Sequence, residues 1–255
     1  MIRHHQTILI TGASSGLGAA LALAYAAPGV HLALVARNEA RLSVIAERCR
    51  EKNATVSIAC LDVTNVTAIT NWIDEFDRQY PLDLVIANAG VSNTLSGDDT
   101  MESWENIRRV FDTNLYGVLA TIHPVIEKMR RRGNGQVALM SSLGAYVGMP
   151  ISPAYNGSKA AIKVYGEGLR GLLAPQGVGV TVICPGFIKS AMSDGYPGPR
   201  PFMVDADKAA LIIKQGLARN RARIAFPFPL SLGVWFLSIL PPSMSLFLQR
   251  TFRFG

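Results

Sequence analysis

Residues 7–26 read TILITGASSGLGAALALAYA, and this stretch decides the fold. The apolar run at 7–10 is typical of a strand buried in a parallel sheet. A glycine-rich turn follows at 11–18, and the alanine-rich segment after it predicts a helix. Strand, glycine turn and helix in this order are the context in which a dinucleotide pyrophosphate binds, because glycines permit close approach and the helix N-terminus offers free N–H groups.

Outward from this stretch, apolar runs alternate with helical patterns. Continuous apolar strands separated by helices predict a parallel sheet covered on both faces, and right-handed crossovers make it doubly wound. The predicted α/β fold is a Rossmann-type single domain over residues 1–225. Strands are expected near 7–11, 30–36, 55–61, 83–88, 136–141, 178–184 and 222–226, and helices near 16–27, 38–52, 66–79, 101–131, 154–174 and 205–219.

A second constellation lies thirteen residues after Ser142, where Tyr155 and Lys159 are four residues apart. On a helix over 154–174 these two side chains share one face. A lysine ammonium beside a phenol favours the phenolate, which predicts a lowered pKa for Tyr155 and proton transfer near neutral pH. The serine hydroxyl could hold a substrate carbonyl oxygen. A chance pair on an ordinary helix is the alternative, and the glycine turn argues against it.

Over residues 6–225 the chain resembles the compact short-chain dehydrogenases/reductases. The resemblance rests on TGASSGLG at 11–18, Asp62, the segment Asn88-Ala89-Gly90, Asn114, Ser142, Tyr155-x-x-x-Lys159 and Pro185-Gly186. It implies an oxidoreductase in which Tyr155 is the general acid/base, Lys159 lowers its pKa and binds the nicotinamide ribose, and Ser142 holds the substrate oxygen. Asn114 would position a relay water, or simply bond backbone.

The resemblance also implies the residues that bind the cofactor. Asp62 would meet the adenine, the turn after the fourth strand would pass the adenosine ribose, and the turn after the sixth strand would pass the nicotinamide. Ser190 stands where the family usually has Thr, which weakens its assignment. The expected set is Gly12, Ser14, Ser15, Gly16, Leu17, Gly18, Arg37, Asp62, Val63, Asn88, Ala89, Gly90, Tyr155, Lys159, Pro185, Gly186, Ile188 and Ser190.

The end of the second predicted strand bears on cofactor choice. An NAD site usually has an acidic residue there to accept from the ribose 2′-hydroxyl. Here Ala36 and Arg37 occupy that place, with no acid before Glu39. A guanidinium suits a 2′-phosphate, so NADP(H) is the preferred cofactor and NAD(H) the alternative. Arg37 as a solvated loop residue is the competing interpretation.

The composition argues against several classes of protein and of binding site. The 255 residues are 49% hydrophobic and 17% charged, as in a globular domain. The net charge is +7, but basic residues are not interleaved with aromatic ones, which argues against nucleic acid. Three cysteines without metal spacing indicate reduced thiols and no metal site. No signal peptide is visible, so a cytoplasmic protein is expected, with a small-molecule substrate and a homodimer or homotetramer as the assembly.

The substrate side is expected to be apolar. Residues 189–205 are rich in Gly and Pro and predict a mobile flap. The side chains expected to line a pocket for a ketone, aldehyde or secondary alcohol are Tyr146, Val147, Met149, Pro150, Ile151, Tyr196, Phe202 and Met203.

The segment 226–255 departs from the compact family pattern. It is apolar, and prolines divide it into stretches far shorter than the about 20 residues that a membrane span needs. We expect two short helices that pack on the pocket, on a second subunit or on a membrane surface.

Three functions remain open on the sequence. The first is the NADP(H)-dependent oxidoreductase just described. The second is a dinucleotide-binding sensor or scaffold without turnover, which would have no need of Ser142, Tyr155 and Lys159. The third, an epimerase or dehydratase with tightly held NAD, usually has a longer chain and a different glycine turn.

Overall fold

The computed structural model describes residues 2–95 and 101–251. In this part of the chain seven strands form one sheet in the order β3-β2-β1-β4-β5-β6-β7, and every neighbouring pair is parallel. The predicted doubly wound parallel sheet is therefore confirmed. The strands are β1 Thr7–Thr11, β2 His31–Ala36, β3 Thr55–Cys60, β4 Leu84–Ala87, β5 Gly135–Met140, β6 Val178–Pro185 and β7 Arg223–Phe226.

Helices cover both faces of the sheet. They are α1 Gly16–Tyr25, α2 Glu39–Arg50, α3 Val66–Gln79, α4 Trp104–Phe111, α5 Gly117–Arg132, α6 Pro153–Leu173, α7 Ala191–Asp194, α8 Ala206–Ala218, α9 Phe228–Ile239 and α10 Pro242–Thr251. The side chains of β1 alternate, so Ile8 and Ile10 belong to the core under α1 and α8 while Leu9 belongs to the core under α3 and α5. This period-2 alternation explains why the strand is apolar throughout.

The prediction of a single helix over 101–131 is wrong. A π-helical turn over Asp112–Tyr116 separates α4 from α5. At the end of this turn, Gly117 lies against Val63, and a Cβ on the glycine would come within 2.6 Å of the valine Cγ2. Single π-helical turns often mark functional sites, and this one carries Asn114.

The two C-terminal helices differ from the others in burial. None of the residues of α9 is buried, and α10 buries only two polar side chains, Ser245 and Gln249. No helix among the described residues is long and apolar enough to cross a membrane.

Candidate active site

A cavity of about 980 Å³ opens at the carboxyl ends of the strands. The neighbours β1 and β4 form a topological switch point in the sheet, which is where doubly wound folds bind their ligands. Every residue that the sequence predicts for cofactor binding or catalysis lines this cavity, except Asn114. The cavity therefore joins the predicted cofactor residues with Ser142, Tyr155 and Lys159.

The glycine turn lies at one end of the cavity. Gly12 and Gly16 have φ angles of +68° and +53°, which side chains with a Cβ rarely adopt. A Cβ on Gly18 would lie 2.1 Å from the carbonyl oxygen of Gly12, so this position must also be glycine. Ser15 caps α1 without a side-chain hydrogen bond to the described part of the helix. The first N–H groups of α1 can therefore bind an anionic group.

Thr11 joins this turn to the end of β4. Its hydroxyl accepts from the backbone N–H groups of Asn88 and Ala89, both at 3.1 Å, and the Asn88 side chain donates to the Thr11 carbonyl at 2.9 Å. The sequence did not reveal Thr11, because its partners lie 77 and 78 residues away. The amide of Asn88 thus fastens two strand ends at the cavity wall.

Arg37 and Asp62 face each other across the ends of β2 and β3. The guanidinium lies 3.4 Å from the carboxylate, and 66% of the arginine side chain is exposed. Burial opposes ionisation of Asp62, but hydrogen bonds from Thr64 and the charge of Arg37 outweigh it and lower the pKa of this carboxyl. Arg41, which was not predicted, also lines the cavity, from the first turn of α2. Two cations thus stand where one was expected.

Ser142 and Tyr155 line the same cavity, and the serine hydroxyl is near enough to the phenol to influence its pKa. The Ser142 hydroxyl also accepts from the backbone N–H of Gly144 at 3.0 Å, which orients it. Burial raises the pKa of Tyr155, and the hydrogen bond to Ser142 lowers it by less. The expectation of a lowered tyrosine pKa is therefore wrong for the protein alone.

Lys159 explains this difference. Its ammonium group is 5.8 Å from the centre of the Tyr155 ring and donates to the Met140 carbonyl at 2.9 Å. Burial lowers the pKa of Lys159 to about 8, so its ammonium group loses its proton more readily than that of an exposed lysine. The Ser141 hydroxyl donates to the Lys159 carbonyl at 2.8 Å. Of the two adjacent serines, Ser141 thus anchors α6, and Ser142 is the one that lowers the pKa of the phenol.

Asn114 lies outside the cavity wall and is fully buried. Its side chain accepts from the Val91 N–H at 2.8 Å and donates to the Val91 carbonyl at 2.9 Å. It also donates to the Ser158 hydroxyl at 3.1 Å. These bonds correspond to the backbone-bonding alternative, and they tie the π-helical turn to the loop after β4.

The residues after β6 connect the cavity to the segment 189–205. Ile188 and Val204 form a parallel bridge. The backbone of Val204 donates to Phe187 at 2.9 Å and accepts from Lys189 at 3.0 Å. Ser190 caps α7 through a reciprocal pair of bonds with Ser193. The base of the predicted flap is thus fastened beside the cavity.

The predicted apolar pocket is correct in part. Val147, Met149, Tyr196 and Phe202 line the cavity, whereas Tyr146, Pro150, Ile151 and Met203 do not. The Tyr146 ring instead lies near the Lys163 ammonium, at 5.2 Å, and the Arg223 guanidinium, at 5.7 Å. Part of the lining that the sequence did not assign by residue comes from α9 and α10: Pro229, Leu230, Gly233, Val234, Phe236, Leu237, Leu248 and Gln249.

Known proteins resemble the chain over most of its length. The family model of the short chain dehydrogenases matches residues 6–197. An uncharacterised oxidoreductase of Myxococcus xanthus is 36% identical over 238 residues, which are 93% of each protein. The 11-beta-hydroxysteroid dehydrogenase-like 3 protein of Arabidopsis thaliana is 32% identical over 229 residues, 87% of this chain and 73% of that protein. A short-chain dehydrogenase from Sphingobium yanoikuyae in complex with NADPH superposes with a TM-score of 0.80 at 26% identity, covering 88% of both chains.

Proposed function

Since the chain belongs to the short-chain dehydrogenase/reductase family of oxidoreductases, we propose that it is an NADP(H)-dependent enzyme that interconverts apolar carbonyl compounds and secondary alcohols. The observation that carries the proposal is that one cavity is lined by the glycine turn, the N-terminus of α1, Ser142, Tyr155 and Lys159. A pyrophosphate and a reacting carbonyl can therefore be held in one space.

The residues present fit a nicotinamide dinucleotide. The turn at 11–18 leaves room for a backbone-bound pyrophosphate, and Asp62, Val63 and the segment 88–90 line the adenosine end. Pro185, Gly186, Ile188 and Ser190 also line the cavity. Ser190 lies beside the glycine turn, where its Cβ would be 3.5 Å from a Cβ on Gly16. When bound, the cofactor supplies or accepts the hydride.

NADP(H) is preferred over NAD(H) in this proposal. Arg37 and Arg41 both line the cavity beyond β2, whereas the nearby carboxylate, Asp62, is already paired with Arg37. Two guanidinium groups can bind a 2′-phosphate with several charge-assisted hydrogen bonds. The NADPH bound by the Sphingobium relative supports the same choice.

Tyr155 moves the proton in the proposed reaction. During reduction its hydroxyl donates to the carbonyl oxygen, and during oxidation its phenolate accepts from the alcohol. The raised pKa keeps the phenol protonated in the protein alone, which suits a donor. Ser142 holds the substrate oxygen beside the phenol, and Lys159 stabilises the phenolate after transfer. Asn114 supports this region through Val91, and a water relay beside it remains part of the proposal.

The substrate class follows from the lining contributed by α9 and α10. Leu230, Val234 and Leu248 face the cavity, and a Cβ on Gly186 would come within 2.9 Å of the Leu230 Cδ2. The first turn of α9 therefore covers the nicotinamide end of the cavity with apolar side chains. An apolar ketone or aldehyde suits these walls, and the hydroxysteroid dehydrogenase-like relative is consistent with such a substrate.

A sensor or scaffold without turnover is the alternative. A sensor would gain nothing from a buried lysine, with its pKa lowered to about 8, beside Ser142 and Tyr155. To test the function, the enzyme is given NADPH or NADH with ketones and aldehydes of graded size and polarity. We expect NADPH oxidation with apolar ketones, at a kcat/KM at least about tenfold above that with NADH. Tight NADPH binding without turnover of any compound would favour the sensor.

We further propose that residues 226–255 form an extension to the domain 1–225 that contacts a membrane surface. Phe228, Trp235 and Phe247 are 74%, 48% and 69% exposed. The extension contains two arginines, Arg250 and Arg253, and no Asp or Glu, and five more Lys and Arg residues lie just before it in 208–223, which carry no Asp or Glu after Asp207. Exposed apolar helices without carboxylates suit an anionic lipid surface. A cytoplasmic homodimer or homotetramer is the assembly that we propose.

A further inference from the structure

The helix α10 is amphipathic in the reverse sense. Ser245 and Gln249, one turn apart, are only 3% and 2% exposed. Met244 and Phe247, on the outer side, are 52% and 69% exposed. A helix on a globular protein normally turns its apolar side inward. The inward polar face of α10 therefore needs an explanation of its own.

Gln249 lines the cavity, and one half of its amide is unpaired. The Nε2 group donates to the Ser245 hydroxyl at 3.3 Å. The buried Oε1 has no hydrogen-bond partner among residues 2–95 and 101–251. If the two amide atoms were interchanged, the nitrogen would be the unpaired one. Either orientation leaves one buried polar atom unsatisfied, which is unfavourable and rare in native proteins.

The surroundings of Gln249 make a bound molecule the natural partner. The described part of the chain holds one other buried side-chain atom without a partner, the Tyr25 hydroxyl, and Tyr25 does not line the cavity. The remaining lining from α9 and α10 presents no polar side chain. A ligand that reaches this wall thus meets a single hydrogen-bonding group in an apolar surface.

We propose that Gln249 determines substrate specificity by binding a hydroxyl group of the substrate other than the reacting one. This proposal rests on the proposed carbonyl reduction. A hydroxyl can donate to Oε1 or accept from Nε2, so it satisfies either amide orientation. The substrate class is therefore an apolar carbonyl compound with a second, alcoholic oxygen. A site with a buried hydrogen-bonding group discriminates against analogues that leave the group unpaired.

The test compares ketone pairs with the same carbon skeleton, one with and one without a hydroxyl, whose position is moved along the chain. For the wild type we expect kcat/KM to favour the hydroxylated ketone by about tenfold to hundredfold at one position. In Gln249→Leu this ratio should fall to near one, mainly through loss with the hydroxylated ketone. Gln215→Leu, on the exposed side of α8 and away from the cavity, should keep the ratio.

Calorimetric titration of the same pairs into the NADPH-loaded enzyme separates this proposal from the proposed function, because it needs no turnover. A binding contrast that Gln249→Leu removes, without any turnover, would support the subsite and overturn the reductase. Turnover with no contrast at any hydroxyl position, a contrast that survives in Gln249→Leu, or no binding of either ketone would overturn the subsite. Gln249→Met, of similar length, repeats the comparison if the leucine variant is unstable.

Discussion

Arg37 is the residue on which the proposed cofactor preference depends most. Its side chain is 66% exposed and its ion pair with Asp62 is long, so it is available to a phosphate. We expect Arg37→Asp to weaken NADPH binding about tenfold or more and to bring NADH binding to a comparable level, because a carboxylate repels the phosphate and accepts from a ribose hydroxyl. Dissociation constants for both cofactors measure the change.

Arg48→Asp is the matched control for this substitution. Arg48 is exposed on α2, the helix that follows Arg37, and does not line the cavity, so both dissociation constants should stay close to those of the wild type. Equal shifts in the two variants would mean that overall charge, and not contact with the phosphate, sets the preference.

Lys159 yields a prediction about stability. Its pKa falls from 10.5 to about 8 on burial, a shift that corresponds to roughly 3 kcal/mol. Below pH 8 the folded protein bears this cost. Between pH 8 and 10.5 the folded state loses the proton that the unfolded state keeps, so stability rises with pH.

We therefore expect Lys159→Met to be more stable than the wild type near neutral pH by about 1 to 3 kcal/mol. The gap should close as the pH rises toward the unfolded pKa. Denaturant unfolding of the cofactor-free protein at several pH values measures it. A gap that stays constant or widens with pH would show that packing, and not the buried charge, separates the two proteins.

Helix α6 carries the tyrosine and lysine, and its fit on the sheet depends on Gly166. A Cβ there would lie 2.6 Å from the Val182 Cγ2 and 2.7 Å from the Leu139 Cδ1. We expect Gly166→Ala to lower the free energy of unfolding by about 1 to 3 kcal/mol, because the helix must move away from β5 and β6. Displacing α6 also displaces Tyr155, so kcat should fall as well.

Gly168 is the internal control, two residues further along the same helix. It is exposed, and a Cβ there would meet no atom within 4 Å. Gly168→Ala should raise the free energy of unfolding by about 0.5 to 1 kcal/mol, the usual gain in helix propensity. Equal effects at both positions, measured by urea unfolding, would contradict the packing argument.

At the scale of the whole molecule, the exposed α9 and α10 and the charge of 208–255 make vesicle binding testable. We expect the wild type to float with vesicles that contain anionic phospholipid, and the double variant Trp235→Ser, Phe247→Ser to bind at least about tenfold less. Trp104→Ser, which removes an exposed tryptophan from α4, should bind as the wild type does. If the wild type does not bind vesicles and the double variant loses the oligomeric state of the wild type, the exposed surface contacts a second subunit instead.

The sequence predicted those features that local patterns determine. The strands, the glycine turn and the cavity residues follow from apolar runs, glycine spacing and the strand ends to which they are attached. Contacts between residues that are far apart in the sequence could not be predicted. The bond between Asn114 and Ser158 spans 44 residues, and the Tyr146 ring lies near Arg223 instead of lining the cavity. The helix α9 is apolar on all sides, so its sequence pattern does not indicate which side lines the cavity.

The most direct test of the account compares the wild type with Tyr155→Phe. The substitution removes one hydroxyl, so NADPH should bind with an unchanged dissociation constant. Ketone reduction, followed as loss of NADPH absorbance, should fall by at least about a hundredfold, because the proton donor is gone. Reduction at the wild-type rate in Tyr155→Phe would contradict the mechanism, since some other group would then be supplying the proton.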